Sequence, residues 1–261
     1  MKELESLKET ILKEYPRLNK NSEFTFNCHN QISCFNKCCS DVNIFLTPYD
    51  IIRLKNRLGI SSQEFLDKYT LMPIDQNQNH PVVMLQLNDD EEKTCPFVGS
   101  EGCTVYEDRP WSCRMFPLGI ASPKENGSET NEEFYFILQE PVCKGYFEEK
   151  KWTVGEWIDD QKVEKYNQMG DLFKEVSLHD FFNTGKKLDP GKLEMFYTVC
   201  YNIDKFREFV FESSFLKRFE IPENIISKIK NDDEELLKFG FDWLKFCLFG
   251  EKTMKIKASE K

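Results

Sequence analysis

The side chains best equipped for chemistry in this chain are its ten cysteines, and they are unevenly placed. Eight fall between positions 28 and 143: Cys28, Cys34, Cys38, Cys39, Cys95, Cys103, Cys113 and Cys143. Only Cys200 and Cys247 follow, and each reads as a small buried hydrophobe. Thiolates bind soft and borderline metals tightly, and four of them form the usual ligand set for structural zinc and for iron–sulfur clusters. Cys34 and Cys38 are four apart, so a turn or helix can aim both sulfurs at one centre. Adjacent Cys38 and Cys39 would point about 100° apart on a helix, so they do not serve the same tetrahedral ion. Either one is a buried non-ligand or the two bridge neighbouring centres. Eight cysteines suffice for two four-cysteine sites, and one site with spare thiols is equally permitted.

Spacing bears on the metal. Zinc knuckles favour short C-x₂₋₄-C spacings, and only Cys34-x₃-Cys38 provides one. Long, irregular gaps and the Cys95–Pro96 step fit an iron–sulfur cluster, of the 4Fe-4S kind, better than zinc. The C-x₃-C-x₂-C spacing of radical enzymes is not met, because the third position is Asp41. His29, beside Cys28, is a substitute ligand at most, and His80 and His179 read as surface or core residues.

The totals limit the remaining classes. Formal charge is −10, from 35 basic and 45 acidic residues, which argues against a nucleic-acid-binding face. Bound thiolates would make the folded protein more acidic still. The N-terminal run MKELESLKETILKEYPRL is charged and helical in period, unlike a signal peptide. No stretch approaches the roughly 20 apolar residues that span a bilayer. The expectation is a cytoplasmic protein without membrane or nucleic-acid partners, whose thiols stay reduced. Metal ligation then accounts for the cysteines better than disulfides do.

The positioning elements follow from local signals. Thr47, Pro48 and Gly59 mark the start and stop of one helix, and Ser61 with Glu64 opens a second. Residues 81–87 and 134–138 are β-prone runs expected to pair around the second cysteine group. Residues 121–132 read as an exposed polar loop. From about residue 150, GEWIDDQKVEKYNQM, KLEMFYTVCYNIDKFREFVFESSF and DDEELLKFGFDWLKFCLF carry apolar residues at helical spacing. The fold class is therefore α+β: a cysteine-rich metal-binding part over residues 1–165, with a helical layer, 166–261, packed on it.

The runs CFNKCC, FLTPYDIIRLKNRLGISSQEFLDKY, CPFVGSEGCTVYEDRPWSCRMFP, and CKG with TVGEWIDDQ resemble the YkgJ-like cysteine-cluster family of zinc- or iron-chelating proteins, often called Fe–S cluster-binding or oxidoreductase proteins. The likeness covers roughly residues 24–165, and CTVYEDRPWSCRMFP is its most specific part. It implies metal ligation by Cys34, Cys38, Cys39, Cys95, Cys103, Cys113 and Cys143, preceded by Cys28. Three residues, not the family's usual two, precede the Cys-Cys pair. That spacing, with Phe26 and Cys28 upstream, looks more like flagellin lysine-N-methylase relatives, although the chain is short for that enzyme and shows no glycine-rich loop for S-adenosylmethionine. The resemblance implies an iron–sulfur cluster, or zinc as the alternative. The matching roles are electron transfer or oxidoreduction with a protein redox partner, a structural zinc-binding interaction module, or methyl transfer to a protein substrate.

Within the specific run, Arg109 and Arg114 flank Cys113. They read either as surface charges paired with Glu107 or Asp108, or as a positive counterweight to thiolates. Tyr106 is expected in the core. Phe24, Phe26, Phe35, Phe97, Trp111 and Phe116, all close in sequence to cysteines, are expected to form a dry shell around the sulfurs.

Overall fold

A computed structural model describes residues 15–73, 79–121 and 133–257 of the chain. The architecture is α+β, with four small antiparallel sheets and a helical C-terminal part. The strands are β1 (Glu23–Thr25), β2 (Phe45–Leu46), β3 (Thr70–Leu71), β4 (Val83–Leu85), β5 (Val98–Gly99), β6 (Gly102–Cys103), β7 (Leu118–Ala121), β8 (Phe134–Ile137) and β9 (Lys151–Thr153). They pair as β1–β9, β2–β4–β3, β5–β6 and β7–β8. The two β-prone runs therefore do not pair with each other: β4 lies between β2 and β3, and β8 pairs with β7. The expected polar loop falls outside the described residues except for Ala121, which ends β7.

The helices follow their local signals closely at the start of the chain. In α1 (Pro48–Leu58), Thr47 and Asp50 form a reciprocal capping box, and Gly59 closes the helix at φ 66°, a left-handed conformation that glycine adopts without a Cβ penalty. In α2 (Ser62–Tyr69), the Ser61 hydroxyl accepts from Glu64 N–H. A single turn, α3 (Trp111–Met115), carries Cys113.

The later helical runs are broken more often than their periodicity suggests. The first becomes α4 (Val154–Asp160) and α5 (Glu164–Ser177), separated where Lys162 takes φ 52°. The second becomes α6 (Pro190–Tyr201) and α7 (Ile203–Glu212), followed by the short α8 (Phe215–Arg218). Asn202 causes that break: it caps α7 by accepting from Lys205 N–H and takes a second bond from the Ser62 hydroxyl. After α9 (Glu223–Asn231), α10 (Asp233–Leu244) ends in a π-helical turn, Lys245–Phe249.

One core runs from α1, α2 and β4 through Phe97 and Val105 to α5, α6, α7 and α10, so it crosses residue 165. Phe65, Phe196, Phe206 and Phe241 are fully enclosed in it. Cys200 lies in this core and Cys247 packs against it. Polar ties reinforce the join. Buried Lys55 meets Asp233 at 2.9 Å, and the Tyr49 hydroxyl donates to Glu234 at 2.9 Å. A second, smaller core gathers Phe26, Met115, Leu118, Val154 and Trp157, and Trp111 packs against both cores. Among the described residues, no helix is long and apolar enough to cross a membrane.

Candidate metal centre

Backbone contacts bring cysteines distant in sequence together. Lys144 N–H donates to Cys34 Sγ at 3.1 Å, which sets Cys143 beside Cys34. Asn27 N–H donates to Gly145 O at 3.1 Å and carries Cys28 to the same place. Only glycine allows that approach, because a Cβ on residue 145 would stand 2.6 Å from the Phe26 ring and 3.0 Å from Asn27 O. Cys38 and Cys39 follow on a 3₁₀ turn, Lys37–Cys39, entered through Asn36 at φ 67°.

The downstream thiols are gathered from the other side. Cys95 N–H donates to Cys39 O at 2.7 Å, and Ser40 and Thr94 form an antiparallel bridge beside it. The β5–β6 hairpin, with Val98 opposite Cys103, folds Cys103 back toward Cys95. Cys113 arrives on α3, whose first amide, Trp111 N–H, donates to Asp50 at 2.8 Å.

The resulting electrostatic neighbourhoods form two groups that share Cys38, which neighbours Cys28 and Cys143 on one side and Cys95 and Cys103 on the other. Burial and the nearby Cys38, Cys143 and Cys34 push the Cys28 thiol up to about 11. Burial raises Cys143 as well, with Cys34 and Cys38 adding to it. In the other set, Cys113 is pushed up to about 12 by burial and then by Cys95, Asp50 and Cys103. Cys113 has protein on most sides yet still presents surface to solvent, so an ion can reach it. Cys39 lies near Cys95 and Cys113. Cys38 stands at the junction: the Cys39 thiol donates to the Cys38 sulfur, which favours the thiolate on Cys38 over Cys39.

The two arginines are neither surface charges nor partners of the Glu107 or Asp108 carboxylates. Arg109 and Arg114 are 7% and 3% exposed. Asp108 pairs with Arg53, and Glu107 with Lys162. Arg114 donates to the carbonyls of Arg109, Gln161 and Glu107, and Arg109 to Tyr106 O and Gln161 Oε1. Both guanidinium charges are thus held by neutral acceptors, and Arg109 lies close enough to Cys113 and Cys103 for each to stabilise its charge. It counterweights these thiols through space. Tyr106, expected in the core, is 53% exposed and stacks under Arg109, 3.7 Å from ring centroid to guanidinium carbon.

The aromatic residues also differ from the expectation. Phe26 packs with Phe116, Tyr146 and Trp157 as a core beneath the cysteines, while Cys28, Cys38 and Cys113 are exposed. There is a floor under the sulfurs and no closed shell over them. The histidines are otherwise engaged: His29 meets Glu148 at 3.2 Å and accepts from Gln31 N–H, His80 stacks on Phe196, and His179 bridges Glu251 and Phe181 N–H.

Among the described residues, no three His, Cys, Asp or Glu side chains already stand as the coordination shell of a metal ion. The donor chemistry nonetheless fits one, because eight reduced thiols converge from four chain segments and each of them has another thiol as an electrostatic neighbour. Closing a shell requires loss of the thiol protons and rotation about χ1 between staggered wells.

Asp50 is the site-supporting residue that spacing alone does not reveal. It is fully buried, and one carboxylate serves both the α1 cap and the α3 amide. Its place at the third position of a capped helix signals the cap, but nothing in the sequence signals the bond to α3.

Residues 27–144 match the model of the CxxCxxCC family, described as "putative zinc- or iron-chelating domain". That span contains all eight clustered cysteines and agrees with the cysteine-cluster resemblance. No curated protein and no solved structure matches the chain.

Proposed function

We propose that residues 27–144, a segment of the zinc- or iron-chelating cysteine-cluster family, carry an iron–sulfur centre that exchanges electrons with a protein partner. The clustered thiols are the ligand pool, and residues 166–261 form the helical support. The observation that carries the reading is the all-sulfur donor set, since each of the three histidines is already engaged by another group. Iron–sulfur clusters are held by such thiolates, and solvent exposure and nearby charge set their potentials. Here Arg109 supplies positive charge beside Cys103 and Cys113, and exposed Cys28, Cys38 and Cys113 leave an edge for a redox partner to approach. When bound, the cluster supplies reversible electron uptake; the protein supplies ligands, charge and access. A reducing, cytoplasmic setting suits the free thiols.

Anaerobic purification followed by iron, zinc and acid-labile sulfide analysis tests this. The expected protein is brown and contains iron and sulfide in comparable amounts. A colourless protein holding zinc without sulfide would replace the redox role with a structural zinc one. A protein that holds neither metal overturns both.

A further inference from the structure

We infer that the chain holds two adjacent metal centres, one on Cys28, Cys34, Cys38 and Cys143 and the other on Cys39, Cys95, Cys103 and Cys113, joined through the Cys38–Cys39 peptide. This rests on the metal-binding reading above and deepens it.

The partition begins with the backbone. Lys144 N–H to Cys34 Sγ and Asn27 N–H to Gly145 O fasten Cys28, Cys34 and Cys143 into one corner. Cys95 N–H to Cys39 O and the Val98–Cys103 register fasten Cys39, Cys95 and Cys103 into another, where α3 delivers Cys113. Each corner thus owns contacts that the other does not share. Cys39 O accepts from Cys95 N–H, and Cys95 and Cys113 both stand near its thiol. It therefore completes the downstream set of four.

Cys38 also feels Cys95 and Cys103, but that set already has four members. Cys28 and Cys143, which both have Cys38 as a neighbour, lack a fourth thiol without it. Cys38 is accordingly assigned upstream. Adjacent side chains on a helical turn diverge by about 100°, which suits two ligands serving different centres. Four thiolates per centre is the usual ligand set for zinc and for iron–sulfur clusters.

The corners also differ in their charge partners. Arg109 stands beside the downstream thiols, and the upstream corner has the neutral amide of Lys144 donating to sulfur. The two centres should therefore bind metal with unequal affinity, and the downstream one should gain more from its cation.

Cobalt(II) alone is the probe, added to reduced, metal-free full-length protein and followed by thiolate-to-metal absorption and native mass spectrometry. The wild type should take up two ions per chain. Cys28→Ser/Cys143→Ser and Cys103→Ser/Cys113→Ser should each retain one ion, halving the absorption. Gly145→Ala keeps every thiol and should weaken only the upstream ion, at least tenfold. One ion in the wild type, or loss of all metal in either double variant with the C-terminal helices intact by hydrogen exchange, would mean a single shared centre and overturn the partition while leaving metal binding standing. No thiolate-bound cobalt in the wild type would overturn both. The wild-type stoichiometry decides the matter even if a serine variant fails to fold.

Discussion

The cysteine-bearing part and the helical layer are held together by different means. In the layer, α5, α6, α7 and α10 bury continuous aromatic and aliphatic faces, with Val199, Phe206 and Leu244 fully enclosed. Several ends are capped, as at Asp189 and Asp232. The cysteine-bearing part has strands of two to four residues in sheets of two or three strands, and its own core is small. Isolated two-stranded pairings are marginal in water. The layer can stand on packing, whereas the thiol-bearing loops lean on α1, on the buried arginines and on whatever the sulfurs hold. The contrast teaches that the ligand-bearing segments are the least independently stable part of the molecule, as expected where metal binding and folding are coupled.

Removing metal should give the largest effect. Structural zinc supplies on the order of 10–16 kcal/mol of apparent binding energy in small domains. Chelation should therefore strip amide protection from the thiol-bearing turns and hairpin, residues 28–39 and 95–113, while the amides of α1, α6, α7 and α10, which share one core, keep theirs, as read by hydrogen exchange with mass spectrometry. Equal loss in both regions would erase the comparison.

Truncation in the layer should cut the other way. Phe206 is completely buried, so Phe206→Ala should cost about 3–5 kcal/mol in denaturant unfolding. Bound metal per folded chain should not change. A Phe206→Ala protein that folds but binds no metal would mean that the layer shapes the thiols directly.

The smallest effect concerns the tie between α1 and α3 inside the cysteine-bearing part. Burial pushes the Asp50 carboxyl up from 3.8 to about 6, partly offset by bonds from Thr47 and Trp111. The native state therefore keeps this proton through a range where the unfolded chain releases it. Stability should fall as pH rises from about 4 to about 6, by at most roughly 3 kcal/mol from this group. Asp50→Asn should remove that slope, whatever its offset, in unfolding curves taken across the range. An unchanged slope would show that burial does not hold the Asp50 carboxyl protonated in the native state.

Local chemistry made part of this structure legible. Thr47, Pro48 and Gly59 bound α1 as written because caps, proline and glycine act within a few residues. The break at Asn202 was hidden, since the apolar period runs straight through it and its partner Ser62 lies far away in sequence. The clustering of the eight cysteines was visible in their positions, but which of them meet was not: that depends on Lys144 meeting Cys34 and on Gly145 meeting Asn27. Of the two readings of the arginines, the structure favours the counterweight over the surface pair, a choice that sequence left open for the same reason. Their acceptors are carbonyls of Tyr106, Glu107 and Gln161, and sequence does not show where carbonyls point.

The bond from Cys95 N–H to Cys39 O, with the Ser40–Thr94 bridge beside it, makes the chain leave and re-enter at one neck. Everything between those points, including α1 and α2, is in topological terms an insertion. Loops that close on themselves tolerate length changes cheaply, because closure entropy grows only with the logarithm of length. The neck therefore holds Cys39 to Cys95 whatever the length of the chain between them, while the excursion itself is fixed by its share of the main core through α1, α2 and β4.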